Sequence, residues 1–275
     1  MPAYVCTTCG TQFSPSDQPP ASCPICEDPR QYVNALGQSW ITPERLQKTH
    51  ANSFRLLEPG LFAITTAPAF AIGQRALLVR TPAGNVLWDC ISLLDAATEE
   101  LIDSLGGLTA IAISHPHYYT TMVGWAQAFD CPIHLHAADR AWVMRPDPAI
   151  RFWGGATLAL TSGLTLIRCG GHFAGGTVLH WAQGSEGNGA LLSGDILQVL
   201  PDRRHVSFMR SFPNLWPLSA PAVERIVAAL AGFPFEVIYG AFAGREILSA
   251  GKAAVADSAE RYLAAVRGDG EVERA

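Results

Sequence analysis

His115, His117, His172 and Asp195 are the residues of this chain best suited to chemistry. Each follows a short apolar run that reads as a buried strand: Thr109–Ser114 before the histidine pair, Leu164–Cys169 before His172, and Ala190–Ser193 before Asp195. Three imidazoles and a carboxylate meeting at a sheet edge can hold a transition metal with catalytic potential. Alternate residues of an extended segment point the same way, so His115 and His117 are expected to face one ion. Pro116 between them stiffens the segment, and Gly170-Gly171 lets the chain turn sharply to deliver His172.

A second constellation lies at the N-terminus. Cys6, Cys9, Cys23 and Cys26 form two CxxC pairs. Thiolates at i and i+3 let one tight turn supply two ligands, and two such turns make a tetrahedral cage of four sulfurs. Zinc is the expected metal, because the cage is closed and so short a segment needs a staple to fold. The knuckles Cys6-Thr-Thr-Cys9-Gly and Cys23-Pro-Ile-Cys26 also resemble rubredoxin, which makes iron the other candidate. The shorter intervening loop favours a zinc ribbon. Cys90, Cys131 and Cys169 stand singly in apolar surroundings and read as inert core thiols.

The elements that must position these residues form a mixed pattern. Thr42, Pro43 and Glu44 open a short helix as cap, first turn and dipole partner. Leu61–Thr65, Ala76–Arg80 and Val86–Asp89 read as strands, the last two joined by the turn at residues 81–84. Helices are expected over 95–105, from 136 through Trp142, over 221–231 with Ser219 as cap, and over 249–267. Strands are expected at 131–135, 177–181 and 235–239. This mixture gives an α/β (α+β) chain with two sheets covered by helices. The expected organisation is a ribbon module at 1–32, a connector at 33–52 and a main domain at 53–275.

Hydrophobic residues make up 49% of the chain and charged residues 16%, which fits a buried core and excludes wholesale disorder. The net charge of -5 supplies no basic surface, so no nucleic-acid partner is expected. Neither a secretory signal nor an apolar run of membrane-spanning length is visible, and the expected location is the cytoplasm.

From about Ser53 onward the chain resembles the metallo-β-lactamase superfamily. The residues that carry this are Ser114-His115-Pro-His117-Tyr118-Tyr119-Thr120, Gly171-His172-Phe-Ala-Gly175-Gly176 and Ser193-Gly194-Asp195, with Val86-Leu-Trp-Asp89-Cys90 before them. The resemblance implies a four-layer αββα sandwich, here preceded by the four-cysteine ribbon. It also implies a first metal site from His115, His117, His172 and Asp195. The residues that normally build the second site are replaced. Tyr119 stands for the motif's Asp, Thr120 for its third His, and Ala241 (or Phe242 in a shifted register) for the final His. One metal, Zn2+ or Fe2+, is therefore expected in the main domain.

The leading functional expectation is a mononuclear metal-dependent hydrolase of a small ester, thioester or lactone. Asp195 would ligate the metal or orient the attacking water, and Tyr119 would donate a proton, bind substrate, ligate the metal, or only fill the space of the missing ion. The alternatives are a persulfide-dioxygenase-like iron oxidoreductase and a non-catalytic, metal-stabilised binding protein. A small-molecule substrate is the expected partner, and a homo-oligomer is compatible with the chain. His134 and His136 also have HxH spacing but read as ordinary sheet residues. Arg245 reads as a surface charge, with anion binding as its alternative.

Overall fold

A computed structural model describes residues 1–268; residues 269–275 of the expected main domain lie outside the described residues. The chain divides into two compact units, 1–154 and 155–275.

The first unit is built on a seven-stranded sheet whose strands follow chain order. Ala51–Glu58, Leu61–Ala67, Ala76–Thr81 and Gly84–Trp88 form an antiparallel meander. Gly84–Trp88, Ala110–Ala112, Ile133–His136 and Ile150–Trp153 then run parallel. Parallel neighbours need long crossovers, and the helices Ala96–Ser104 and Met122–Phe129 supply two of them. Pairing sets burial: half of the edge strand 51–58 is exposed and none of it is fully buried, whereas Ala76–Val79 is buried throughout. Asp95 caps the first helix by accepting from the Thr98 amide at 2.8 Å. The first strand begins inside the segment expected to be a connector, because Ala51 pairs with Ala67.

The second unit holds a six-stranded sheet. Thr157–Thr161, Leu164–Arg168, Thr177–Trp181 and Ala190–Gly194 are antiparallel, Val237–Gly240 joins the last in parallel, and Glu246–Ile247 closes the edge. The helices Ala220–Leu230 and Gly251–Arg267 share a core with this sheet through Val223, Ile226, Leu230, Val255 and Ala259. Ser219 is the N-cap of the first of them, but its side chain makes no capping bond.

Two local expectations change. The helix expected through Trp142 is a six-residue 3-10 segment, Ala137–Trp142, which His136 opens by accepting the Ala138 amide on Nδ1 at 3.2 Å. The strand before His115 ends at Ala112, and His117 lies in a 3-10 turn, Pro116–Tyr118. Proline at the first position of the turn presets its backbone angle. Strand alternation therefore does not orient His117. No helix among the described residues is long and apolar enough to cross a membrane.

Candidate metal centres

In the first unit the histidine pair lies beyond the carboxyl ends of parallel strands, the usual place for ligand groups in α/β sheets. Asp89 follows the strand Gly84–Trp88 in a left-handed conformation (φ 58°) and is 1% exposed. Its amide donates to the Ala112 carbonyl at 2.9 Å, and its carboxylate accepts the Ser114 amide at 2.7 Å. The Ser114 hydroxyl in turn bonds Nδ1 of His115 at 2.8 Å. This anchors the ring by Nδ1; a hydroxyl can donate or accept, so the bond holds the ring's orientation without choosing its tautomer. The His115 and His117 rings are 5.1 Å apart, both are buried, and each offers a ligand atom within 4.8 Å of the other's.

In the second unit, Gly170 and Gly171 (φ 69° and 80°) turn the chain into His172. The positive φ at Gly171 favours glycine, and a Cβ there would come within 2.8 Å of Ile226 Cδ1 and 3.0 Å of Leu218 Cδ1, so those two side-chain ends would have to shift. Nδ1 of His172 lies 3.1 Å from the Met209 carbonyl. A carbonyl only accepts, so Nδ1 bears the proton and Nε2 the lone pair. Asp195 follows Gly194, which pairs with Gly240 at the end of the parallel neighbour. It is 5% exposed and offers a carboxylate oxygen within 4.8 Å of a His172 ring nitrogen.

The four N-terminal cysteines converge as their spacing requires. Cys6 Sγ and Cys26 Sγ are 3.6 Å apart, as are Cys9 Sγ and Cys23 Sγ. A tetrahedral zinc with Zn–S bonds of about 2.3 Å has S–S edges of about 3.8 Å, close to these two separations. The Gln38 amide donates to Cys6 Sγ at 3.1 Å. The neighbouring thiols of Cys23 and Cys26 pull Cys6 far below the usual thiol range, whereas burial pushes Cys9 up. The cysteines and Ile25 form a small core under Phe13, Trp40, Ile72 and Trp142. By contrast, burial pushes Cys90, Cys131 and Cys169 up to about 12.

Tyr119 is buried, and burial followed by the nearby Asp139 carboxylate pushes its phenol well above the usual range. A neutral phenol can donate a hydrogen bond. Thr120 is buried with φ 34°, and Ala241 is buried after the strand Val237–Gly240. Neither carries an imidazole.

The remaining histidines have ordinary roles. His136 packs edge-on against Trp153, His180 Nε2 donates to the Pro234 carbonyl at 2.6 Å, and His205 pairs with Asp202 at the surface. Arg245 is half-buried and lines a cavity of about 360 Å3 with Gln198, Val199 and Phe242. Sequence reasoning missed the Ser114 hydroxyl and the Met209 carbonyl as ring anchors. A polar residue ending an apolar run beside His115 was a readable signal for the first, but a backbone carbonyl 37 residues from its histidine leaves none.

No family model matches the chain. It is 48% identical over 271 residues to the uncharacterized protein YmaE of Bacillus subtilis strain 168, covering 98% of each. Among solved structures it is similar to a metallo-β-lactamase from Cronobacter sakazakii with a HARLDQ motif, at TM-score 0.52, 15% identity and coverage of 82% of this chain and 96% of the other. It is likewise similar to a metallo-β-lactamase from Hirschia baltica, at TM-score 0.53, 17% identity and coverage of 76% and 96%. This chain therefore belongs to the family of YmaE, and its mixed α/β fold is that of the metallo-β-lactamases.

Proposed function

We propose that the chain is a mononuclear metal-dependent hydrolase in which His115, His117, His172 and Asp195 hold one zinc ion. The observation that carries this reading is the anchoring of two imidazoles by Nδ1, His115 on the Ser114 hydroxyl and His172 on the Met209 carbonyl. Metal-binding histidines use their second nitrogen in this way, which fixes ring orientation and leaves Nε2 to ligate. Together the four residues offer three imidazoles and a carboxylate, a donor set suited to zinc. When bound, the ion supplies Lewis acidity and acidifies water toward neutrality.

The chain's own groups define the rest. Asp195 offers one carboxylate oxygen to the ion, and its other oxygen orients the attacking water and takes its proton. The water oxygen bonds to the carbonyl carbon, the bond to the leaving oxygen or sulfur breaks, and the proton passes to the departing group. Tyr119 is a neutral hydrogen-bond donor beside the histidine loop. Tyr119, Thr120 and Ala241 replace the ligands of a second ion, so no second metal steadies the leaving group. Substrates that part easily, such as thioesters, lactones and activated esters, fit this arrangement better than phosphodiesters. The four-cysteine cage takes zinc as a structural ion.

Screening zinc-loaded protein against small esters, thioesters and lactones tests the proposal. Turnover lost in a His115→Ala/His172→Ala variant that keeps its fold is the expected result. Equal turnover in the variant, or none with any of these classes in the loaded wild type, contradicts it.

A further inference from the structure

We propose that the four-cysteine module is a strut for the metal-binding loop, with Gly10, Gln12 and Ser92 as its positioning residues. The proposal rests on the reading of His115 and His117 as metal ligands, and it assigns the N-terminal cage a role in holding them.

The connection is continuous within the first unit. Inside the knuckle, the Gly10 amide donates to the Cys6 carbonyl at 2.9 Å and the Cys6 amide to the Thr11 carbonyl at 2.9 Å. Cys9 Sγ lies 3.3 Å from Thr11 Oγ1. The cage thus fixes the backbone from Gly10 to Gln12. That backbone then leaves the knuckle by two routes. The Gln12 amide donates to the Thr120 carbonyl at 3.0 Å. The Gly10 carbonyl accepts from Ser92 Oγ at 3.1 Å, and the Ser92 carbonyl accepts from Thr121 Oγ1 at 3.1 Å. Both routes end on Thr120–Thr121, directly after His115-Pro-His117-Tyr-Tyr.

The joint is tight and buried. Thr11, Gln12, Ser92, Thr120 and Thr121 are all buried. A Cβ on Gly10, whose φ is 81°, would lie 2.5 Å from Ser92 Oγ, 3.3 Å from Ala71 Cβ and 3.5 Å from Thr120 Cγ2. The Gln12 side chain is tied to the Arg145 guanidinium, so the bearing surface is pinned from a second side. On the loop, the 3-10 turn is closed by Tyr118 N–H to His115 O at 3.1 Å and Tyr119 N–H to Pro116 O at 3.2 Å. Thr120 carries a left-handed backbone that a non-glycine residue keeps only when its surroundings impose it. The knuckle supplies one of those restraints through the Gln12 amide.

The experiment is chelator competition on the full-length, zinc-loaded protein, read together with hydrogen exchange at the amides of residues 118–121. Ser92→Ala removes one route without adding bulk, and Gly10→Ala wedges the joint open. Gly37→Ala is the control: it places a side chain at positive φ in the connector that follows the module, where nothing lies within 4 Å. The expected result is about 10-fold weaker retention of the main-site zinc in Gly10→Ala, and a smaller loss in Ser92→Ala. Faster exchange at residues 118–121 should accompany both, while the cage zinc is kept and Gly37→Ala matches wild type. Should Gly10→Ala not fold, Ser92→Ala alone decides. Wild-type retention and exchange in the joint variants would overturn the strut. An equal loss in Gly37→Ala would also overturn it, since general weakening of the N-terminal segment would then explain the effect. A wild-type protein that holds only the cage zinc would instead overturn the metal-centre reading on which the strut rests.

Discussion

Nδ1 of His172 donates to the backbone carbonyl of Met209 at 3.1 Å. This bond sets the tautomer of a buried ring and turns its lone pair to Nε2, the form a metal requires. Imidazole nitrogen NMR at neutral pH should show His172 with a slowly exchanging Nδ1 proton. An Nε2–H tautomer would contradict this placement.

The Ser114 hydroxyl anchors the His115 ring by the same nitrogen, and Asp89 holds the Ser114 amide. Ser114→Ala should weaken main-site metal affinity about 10- to 100-fold and leave the cage ion in place. Competition with a metal-sensitive dye measures both sites at once.

Gly171 combines a positive φ with close approach to Ile226 and Leu218. Gly171→Ala should cost about 1–3 kcal/mol of stability, through backbone strain and overpacking. Gly155→Ala, at φ 89° where a Cβ meets nothing within 4 Å, is the control that keeps the strain and omits the overpacking. Urea denaturation measures the difference.

His134 gives a pH dependence with a definite sign. Burial, then the Arg151 charge, lowers its pKa from the ordinary 6.5. The unfolded chain therefore binds the proton more readily, and stability falls as pH drops through 6.5 toward the folded-state value. Below both values the loss levels off. His134→Gln should flatten this part of the stability–pH curve, and unchanged curvature would assign it to other groups.

Burial pushes Cys90, Cys131 and Cys169 up to about 12, which keeps them as thiols at neutral pH. Alkylation of the native, metal-loaded protein should leave all three unmodified, while chelation should expose Cys6, Cys9, Cys23 and Cys26. Mass mapping of the modified peptides separates the two sets.

Much of this arrangement is legible in the chain because chemistry-bearing residues interrupt apolar runs. Val86–Trp88 ends at Asp89, Leu191–Gly194 at Asp195, and Gly170-Gly171 announces His172. The CxxC pairs are equally plain, since thiols at that spacing have few other uses. The strand at 51–58 was harder to place, because its exposed edge position removes the apolar signal. The short pairings Gln198–Val199 with Val206–Ser207 and Met209–Ser211 with Trp216–Pro217 carry no periodicity at all. His117 shows a subtler limit. Its spacing from His115 suggested strand alternation, yet Pro116 starts a 3-10 turn and places the second ring by another geometry. The docking of Gln12 on Thr120 depends on backbone groups more than 100 residues apart, which no local pattern encodes.

The central claim is a single metal ion held by His115, His117, His172 and Asp195 beside a separate ion in the four-cysteine cage. Metal analysis of protein purified without added metal, alongside the His115→Ala/His172→Ala variant, tests it most directly. The account predicts about two zinc ions per chain, falling to about one in the variant. An equal metal content in the two proteins would contradict it.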